Sequence, residues 1–166
     1  MKMIPDIKNI LCATDLSENA HYALKYATAI ANRFGAAITI LHVLEELSPS
    51  SLGWVSEMVG KERWADLKSR NEEKVITSIR TRIEDICSEI SNGSLECPFI
   101  VQKIIVKSGH PVDLIIHYTE KKDCDMVIMG SRGHETLSET MLGNTSRRVL
   151  RRCTKSVLVV RLPESV

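Results

Sequence analysis

Apolar residues follow two patterns along this chain, short unbroken runs and longer stretches with a period near 3.6 residues. The runs span 7–14, 37–43, 99–106, 126–129 and 157–160, and glycine, proline or charged residues stand at or near both ends of each. Unbroken apolar runs of this length are typical of strands that are buried on both faces of a parallel sheet. The pattern therefore predicts five strands.

Helical periodicity fills most of the sequence between the runs. In the first helical stretch Ser17 is a candidate N-cap and Gly35 ends the pattern. A longer helix is predicted from Glu62, with isoleucines at alternating steps of three and four, and it stops at Asn92-Gly93; its apolar face comprises Ile76, Ile79, Ile83, Ile86 and Ile90. Shorter helices are predicted over 112–119 and 147–152. The segment 45–61 is rich in serine and glycine, which predicts a long loop with a short helix at 54–59 and makes it a candidate lid.

Strands that alternate with four helices predict an α/β fold. We expect a single domain over 1–166, built as one doubly wound, five-stranded parallel sheet with helices on both faces, in a Rossmann-like arrangement. In such sheets a ligand binds beyond the carboxyl ends of the strands, where the strand order reverses. The residues that follow the strands are therefore the first candidates for a site.

Composition narrows the classes of function. The chain of 166 residues has 22 Lys plus Arg against 21 Asp plus Glu, so there is no general basic field to attract nucleic acid or a membrane surface. No apolar stretch approaches the length of a membrane span, and the first residues do not form a signal peptide. Five scattered cysteines without a C-x-x-C pair suit a reducing cytosol. We expect a cytoplasmic protein without nucleic-acid or membrane partners.

A glycine-rich segment links the fourth strand to the last helix. It contains Gly130, Gly133 and Gly143, and the last of these precedes Asn144, Thr145 and Ser146. Glycines expose backbone N–H groups, and a helix N-terminus adds donors and partial positive charge, so the pattern predicts an anion site. A glycine-rich turn with Asn144 as N-cap explains the same residues without a ligand, because glycine spacings also recur by chance.

The spacing resembles the signature of the universal stress protein family, which is G-x-x-G, nine residues, then G followed by Ser or Thr. Asn144 stands where that signature has the hydroxyl residue. Other similar segments span most of the chain: ILCATDLSENAHYAL, AITILHV, SGHPVDLII, DMVIMGSRG and VLVVR. The resemblance implies a five-stranded parallel sheet, a dimer and, in the ATP-binding branch of the family, a nucleotide held between strands one and four.

The resemblance also implies residue roles. Adenine is expected beside Ala13 and Val43, the ribose and phosphates beside Thr14 and Asp15, and the phosphates on the glycine-rich loop. The expected ligand is ATP or AMP, with Mg²⁺ bound through the phosphates as an option. The complete set of nucleotide-binding residues predicted in this way is Ala13, Thr14, Asp15, Val43, Met129, Gly130, Arg132, Gly133, Gly143, Asn144, Thr145 and Ser146.

Four functions are compatible with these features. The leading one is a nucleotide-binding regulator or sensor in a stress response. A slow ATPase or autokinase is the second, although the chain has no G-x-x-x-x-G-K-[ST] loop and no catalytic residue is predicted. A dimeric signalling module that does not bind ATP is the third, and a flavin-binding protein the fourth. Since the five histidines have no metal-ligand spacing, no metal site formed by the protein itself is predicted.

The last apolar run is expected to form an edge strand and to pair with its counterpart in a second copy. An exposed edge with free N–H and C=O groups is prone to further pairing. The residues predicted to form this homodimer contact are Val157, Leu158, Val159 and Val160.

Overall fold

A computed structural model describes residues 4–46, 48–91, 99–121, 123–134 and 141–163. Five parallel strands form one sheet in the order β3-β2-β1-β4-β5. The elements follow one another as β1 (Asn9–Thr14), α1 (Glu18–Phe34), β2 (Ala37–Leu44), α2 (Pro49–Val59), α3 (Lys61–Ser91), β3 (Ile100–Ser108), α4 (Pro111–Lys121), β4 (Met126–Gly130), α5 (Asn144–Arg152) and β5 (Ser156–Val160). The predicted fold class is confirmed.

Helices cover both faces of the sheet. On one face, α1 and α3 bury residues such as Ala27 and Ile79 against the strand residues Ile40 and Ile128. On the other face, α4 and α5 bury a second set of apolar side chains against the strands. These helix residues are Val112, Ile115, Ile116 and Val149. Successive residues of a strand point to opposite faces, so an apolar run supplies both cores. This explains why the runs do not alternate with polar residues.

The strand order reverses between β1 and β4. From β1 the chain first adds β2 and β3 on one side of the sheet, and then crosses to add β4 and β5 on the other. The carboxyl ends of β1 and β4 therefore lie side by side, with the connections that follow them turned in opposite directions. That arrangement opens a crevice at the position where doubly wound sheets bind ligands.

The segment predicted as a loop is mostly helical. Helix α2 occupies 49–59, so it begins five residues before the short helix that was predicted at 54–59. Ser48 caps this helix, because its side chain accepts a hydrogen bond from the N–H of Ser51, and Pro49 fills the first turn. Serine and proline at these positions begin a helix as readily as they form a loop, which is why the loop predicted over 49–53 was wrong. None of the residues of α2 is buried, and Trp54 is 68% exposed.

Two other helices differ in detail from the prediction. In α3 the buried face is carried by Val75, Ile79 and Ile86, whereas Ile76 and Ile83 are half-buried and Ile90 is exposed. The predicted stop at Asn92-Gly93 lies outside the described residues. Helix α5 begins three residues earlier than the predicted Arg147, at Asn144.

Cysteines are in more than one chemical state. Cys12, Cys124 and Cys153 are free thiols, and burial raises the pKa of the Cys12 thiol to about 12. Cys87 on α3 is disulfide-bonded, which departs from the expectation of a reducing cytosol that was drawn from the scattered cysteines.

Within the described ranges, no helix combines the length and apolar character needed to cross a membrane.

Candidate functional site

A cavity of about 480 Å³ opens at the crevice between β1 and β4. Its volume lies within the usual range for small-molecule sites, which is about 300–1,000 Å³. All twelve residues predicted to bind a nucleotide line it. Seven further lining residues were not among the predicted ones: Ala20, Leu41, His42, Glu45, Pro111, Ile115 and His134.

The turn between β1 and α1 forms one wall of the cavity. The hydroxyl of Thr14 accepts a hydrogen bond from the N–H of Leu16, and Asp15 Oδ1 accepts one from the N–H of Ser17. The Ser17 hydroxyl in turn accepts from the N–H of Ala20 and caps α1, as predicted. Polar side chains of the turn are therefore occupied with holding its shape, which fixes the Asp15 carboxylate at the cavity wall.

Arg82 supports this turn from a distant helix. Its guanidinium on α3 donates to the carbonyls of Leu16, at 2.6 Å, and Ser17, at 3.4 Å. Leu16 has φ of 66°, which is uncommon for a residue other than glycine, and the guanidinium contact helps to hold this strained backbone. No pattern in the sequence indicates this contact, since 65 or more residues separate the partners.

Two histidines lie at the same wall and were assigned no site role from the sequence. His42 Nδ1 donates to the carbonyl of Thr14, at 2.8 Å, and His134 Nε2 donates to the carbonyl of Asp15, also at 2.8 Å. Burial lowers the pKa of His42, and the bond to Thr14 opposes that shift only in part. The imidazole of His42 is therefore uncharged at pH 7 and carries its proton on Nδ1. The hydrogen bond of His134 ties the glycine-rich loop to the β1–α1 turn.

Close packing explains two of the three signature glycines. A Cβ on Gly130 would lie 3.0 Å from the backbone carbon of Asn19 in α1, and a Cβ on Gly143 would lie 3.3 Å from the carbonyl oxygen of Ser131. Neither residue has a positive φ, so close packing rather than backbone conformation requires glycine there. These glycines allow the first turn of α1 and the start of α5 to approach β4 closely, which brings both helix N-termini to the crevice.

Gly133 is constrained by a side chain instead. A Cβ there would collide with Oδ2 of Asp15. Both residues line the cavity, so the absence of a side chain at 133 leaves the carboxylate and the loop backbone in contact across the entrance. A substitution at this position acts directly on the site.

Ser146 anchors α5 to the loop that follows β4. It is 3% exposed, and its hydroxyl lies 3.1 Å from the carbonyl oxygen of Gly130 and 3.0 Å from that of Ser131. Since the hydroxyl proton is engaged with these carbonyls, the group that Ser146 offers to an anion is its backbone N–H.

Replacing Ser146 with alanine is expected to lower the free energy of unfolding by about 1–2 kcal/mol, because the buried carbonyls of Gly130 and Ser131 lose the hydroxyl as a donor, although the carbonyl of Ser131 keeps the N–H of Gly143. Urea denaturation measures the change. Ser88→Ala is the matched control, since it removes a hydroxyl that donates to a backbone carbonyl on the exposed face of α3. Equal changes in the free energy of unfolding of the two variants would show that the buried hydroxyl of Ser146 contributes no more to stability than an exposed one.

The N-terminus of α5 points its donors at the cavity. Gly143 is the N-cap, no side chain caps the helix, and the first turn contains no acidic residue. Asn144 is thus the first helical residue, and the expectation that it forms the N-cap is wrong. Uncapped N–H groups and the positive end of the helix favour a bound anion here.

Charges of both signs border the cavity. Asp15 and Glu45 are the acidic residues among the described lining, and Arg132 is the basic one. In the part of the chain that the structure describes, no group of three or more His, Cys, Asp or Glu side chains is placed to hold a metal ion. The site as built is suited to a ligand with an apolar part and an anionic part.

Fold and site together define a class, the parallel α/β proteins with a cavity at the switch point of the sheet. The model of the universal stress protein family matches residues 6–161. The chain belongs to this family.

Individual relatives agree with this assignment. Universal stress protein MJ0577 of Methanocaldococcus jannaschii is 30% identical over 162 residues, which cover 95% of this chain and 97% of that protein. A solved structure of MJ0577 matches with a TM-score of 0.68 and 28% identity, over 97% of this chain and 100% of that one.

Two more distant structures share the fold. One is a universal stress protein in complex with cAMP, with a TM-score of 0.60, 17% identity and coverage of 95% of this chain and 98% of that one. The other is a universal stress protein from Archaeoglobus fulgidus in complex with dAMP, with a TM-score of 0.53, 16% identity and coverage of 93% and 98%.

Proposed function

We propose that this universal stress protein binds an adenine nucleotide, ATP or AMP, in the switch-point cavity and acts as a regulator or sensor in a stress response. The observation that carries the proposal is that one cavity is bordered both by an apolar wall and by an uncapped helix N-terminus. That the architecture accommodates adenine nucleotides is supported by the cAMP and dAMP complexes of its relatives.

Each part of the nucleotide has a matching surface. An adenine ring fits the apolar wall formed by the ends of β1, β2 and β4 together with α4: Ala13, Leu41, Val43, Ile115 and Met129. The ribose then lies beside Thr14 and Asp15, where a carboxylate can accept from its hydroxyls. The phosphates meet Gly130, Gly133, Gly143 and the backbone of α5.

A divalent cation fits the same arrangement only through the nucleotide. Mg²⁺ is usually bound by one or two carboxylates together with substrate phosphates and water. Asp15 supplies a carboxylate on the loop side of the cavity. Mg²⁺ bound there would offset the repulsion between that carboxylate and the phosphates.

Regulation by binding is favoured over fast catalysis. No lysine is found among the described residues that line the cavity, so the group that usually contacts the terminal phosphates of an NTPase has no counterpart there. Slow hydrolysis remains the alternative activity. Ordering of the loop around a ligand changes the surface offered to partners, and such a population shift needs no chemical step.

The proposal is tested by titrating the purified chain with ATP, AMP and GTP in a calorimeter, with mass spectrometry of any ligand released on denaturation. We expect saturable binding of the adenine nucleotides, with weaker binding of GTP because its oxo group replaces the adenine amine. A chain free of bound nucleotide that binds neither ATP nor AMP would refute the proposed function.

A further inference from the structure

The guanidinium of Arg82 contacts the β1–α1 turn from the buried face of α3. Ile79 lies three residues before Arg82 and Ile86 four residues after it, so the three side chains share one face of the helix. Both isoleucines are 1% exposed and fix that face against the core. Arg82 is half-buried and is not among the described residues that line the cavity. Its direct contact with the site is therefore made through the turn.

Two adjacent carbonyls of the turn accept hydrogen bonds from this one guanidinium. Nη2 lies 2.6 Å from the oxygen of Leu16, and Nη1 lies 3.4 Å from the oxygen of Ser17. Arginine holds several N–H donors in one plane, and hydrogen bonds from a charged donor are stronger than those between neutral groups. One side chain thus fixes the backbone that directly follows Asp15.

The position of the Asp15 carboxylate depends on that backbone. Asp15 Oδ1 accepts a hydrogen bond from the N–H of Ser17, and the carbonyl of Ser17 is one of the two that Arg82 contacts. Asp15 lines the cavity. A shift of Leu16 and Ser17 therefore displaces the carboxylate at the cavity wall.

We propose that Arg82 is a positioning residue for nucleotide binding, which acts from outside the cavity by holding the Asp15 carboxylate in place. The inference rests on the proposed function and adds a residue of α3 to the groups that determine affinity. Arg82 acts through the geometry of its two hydrogen bonds, and a positive charge at the same place does not replace them.

Two further variants separate these hydrogen bonds from the charge. Arg80→Gln is the matched control for Arg82→Gln, because Arg80 is exposed, carries the same charge and lies two residues earlier, on the opposite side of α3. Arg82→Lys keeps the charge but replaces the planar guanidinium with a compact ammonium, which matches two adjacent carbonyls less well.

Calorimetric titration with ATP tests the proposal. Arg82→Gln is expected to weaken binding about tenfold, which is the scale of a lost hydrogen bond from a charged donor. Arg82→Lys is expected to weaken it about threefold, and Arg80→Gln less than about twofold. Equal affinities of Arg82→Gln and Arg80→Gln would overturn the proposal. So would an Arg82→Lys variant with the affinity of the unmodified chain, and this comparison decides if Arg82→Gln does not fold.

Asp15→Asn tests whether Arg82 acts through the carboxylate. The carboxamide oxygen can still accept from the N–H of Ser17, so the turn keeps its hydrogen bond while the charge is lost. In that background Arg82→Gln is expected to weaken ATP binding less than about threefold, because the group that Arg82 positions is already altered. A general structural role would lower the affinity by the same factor in both backgrounds. Fully additive losses would therefore overturn the proposal.

Amide hydrogen exchange of the ligand-free chain distinguishes this proposal from the proposed function. The N–H groups of Leu16 and Ser17 are bonded to side chains of the turn, and we expect them to exchange about tenfold faster in Arg82→Gln than in Arg80→Gln. If they do, while the unmodified chain binds neither ATP nor AMP, the proposed function fails and the positioning of the turn stands. If exchange and ATP affinity are equal in the two variants, the positioning role fails and the proposed function stands.

Discussion

Replacing Gly133 with valine is expected to abolish adenine-nucleotide binding while the fold is retained. A Cβ at 133 would collide with Asp15 Oδ2, and the Asp15 carboxylate is held in place by the N–H of Ser17. Either the carboxylate gives up its hydrogen bond with Ser17 or the loop moves away from the β1–α1 turn, and in both cases the phosphate donors and the carboxylate lose their relative positions. We expect the affinity for ATP to fall roughly 100-fold or more, which corresponds to about 2.7 kcal/mol.

Stability separates this local effect from unfolding. Gly133 is half-buried at the cavity entrance, and thermal denaturation should show a change of less than about 1 kcal/mol. Gly53→Val is the matched control, because a Cβ at Gly53 in α2 would meet no atom within 4 Å. Nucleotide affinity that survives in Gly133→Val would remove the glycine-rich loop from the proposed site.

Replacing Val159 with proline is expected to convert a homodimer into a monomer. β5 lies at one end of the sheet and pairs with β4 on one side only. The opposite end strand, β3, carries Lys103 and Lys107, and charged residues on an edge discourage pairing. β5 has no charged residue within it, so we propose that two copies pair antiparallel along this strand about a two-fold axis.

The orientation of β5 makes Val159 the informative position. The carbonyl of Val160 accepts from the N–H of Ser131, so Val160 faces β4. The N–H and C=O of one strand residue point to the same side, and the next residue points to the other side. The N–H of Val159 is therefore directed at the open edge, and proline removes a donor of the proposed interface without breaking the β4–β5 ladder.

Sedimentation velocity at micromolar concentration measures the outcome. Val159→Ala keeps the N–H and is expected to remain dimeric, whereas Val159→Pro sediments as a folded monomer or aggregates through its altered edge. If the unmodified chain is monomeric, the proposed homodimer does not form. If the proline variant still dimerises, the interface does not lie along β5.

Periodicity and local chemistry in the sequence were sufficient to predict the fold class. Unbroken apolar runs predicted the five strands, because a strand buried on both faces needs apolar residues at every position. Ser17 and Gly35 marked the ends of α1, since capping depends on residues adjacent in the chain. The same local reasoning misassigned 49–53, where serine, proline and glycine are compatible with either a loop or a helix, although it predicted the helix over 54–59.

The twelve residues of the predicted cavity lining were found through a family pattern together with the rule that parallel strands bring their carboxyl ends to one edge. Both depend on positions along the chain. The sequence by itself therefore determined the fold class and which loops meet at the crevice.

Tertiary structure alone decided how those loops are held. Arg82 reaches the β1–α1 turn from another helix, His134 closes the glycine-rich loop on Asp15, and Gly130 is required by its contact with α1. Each of these contacts joins residues that are distant in the chain, and their side-chain types have many other uses on a surface. Periodicity encodes which face of an element is buried, whereas the partner of a polar side chain is fixed only when the elements pack.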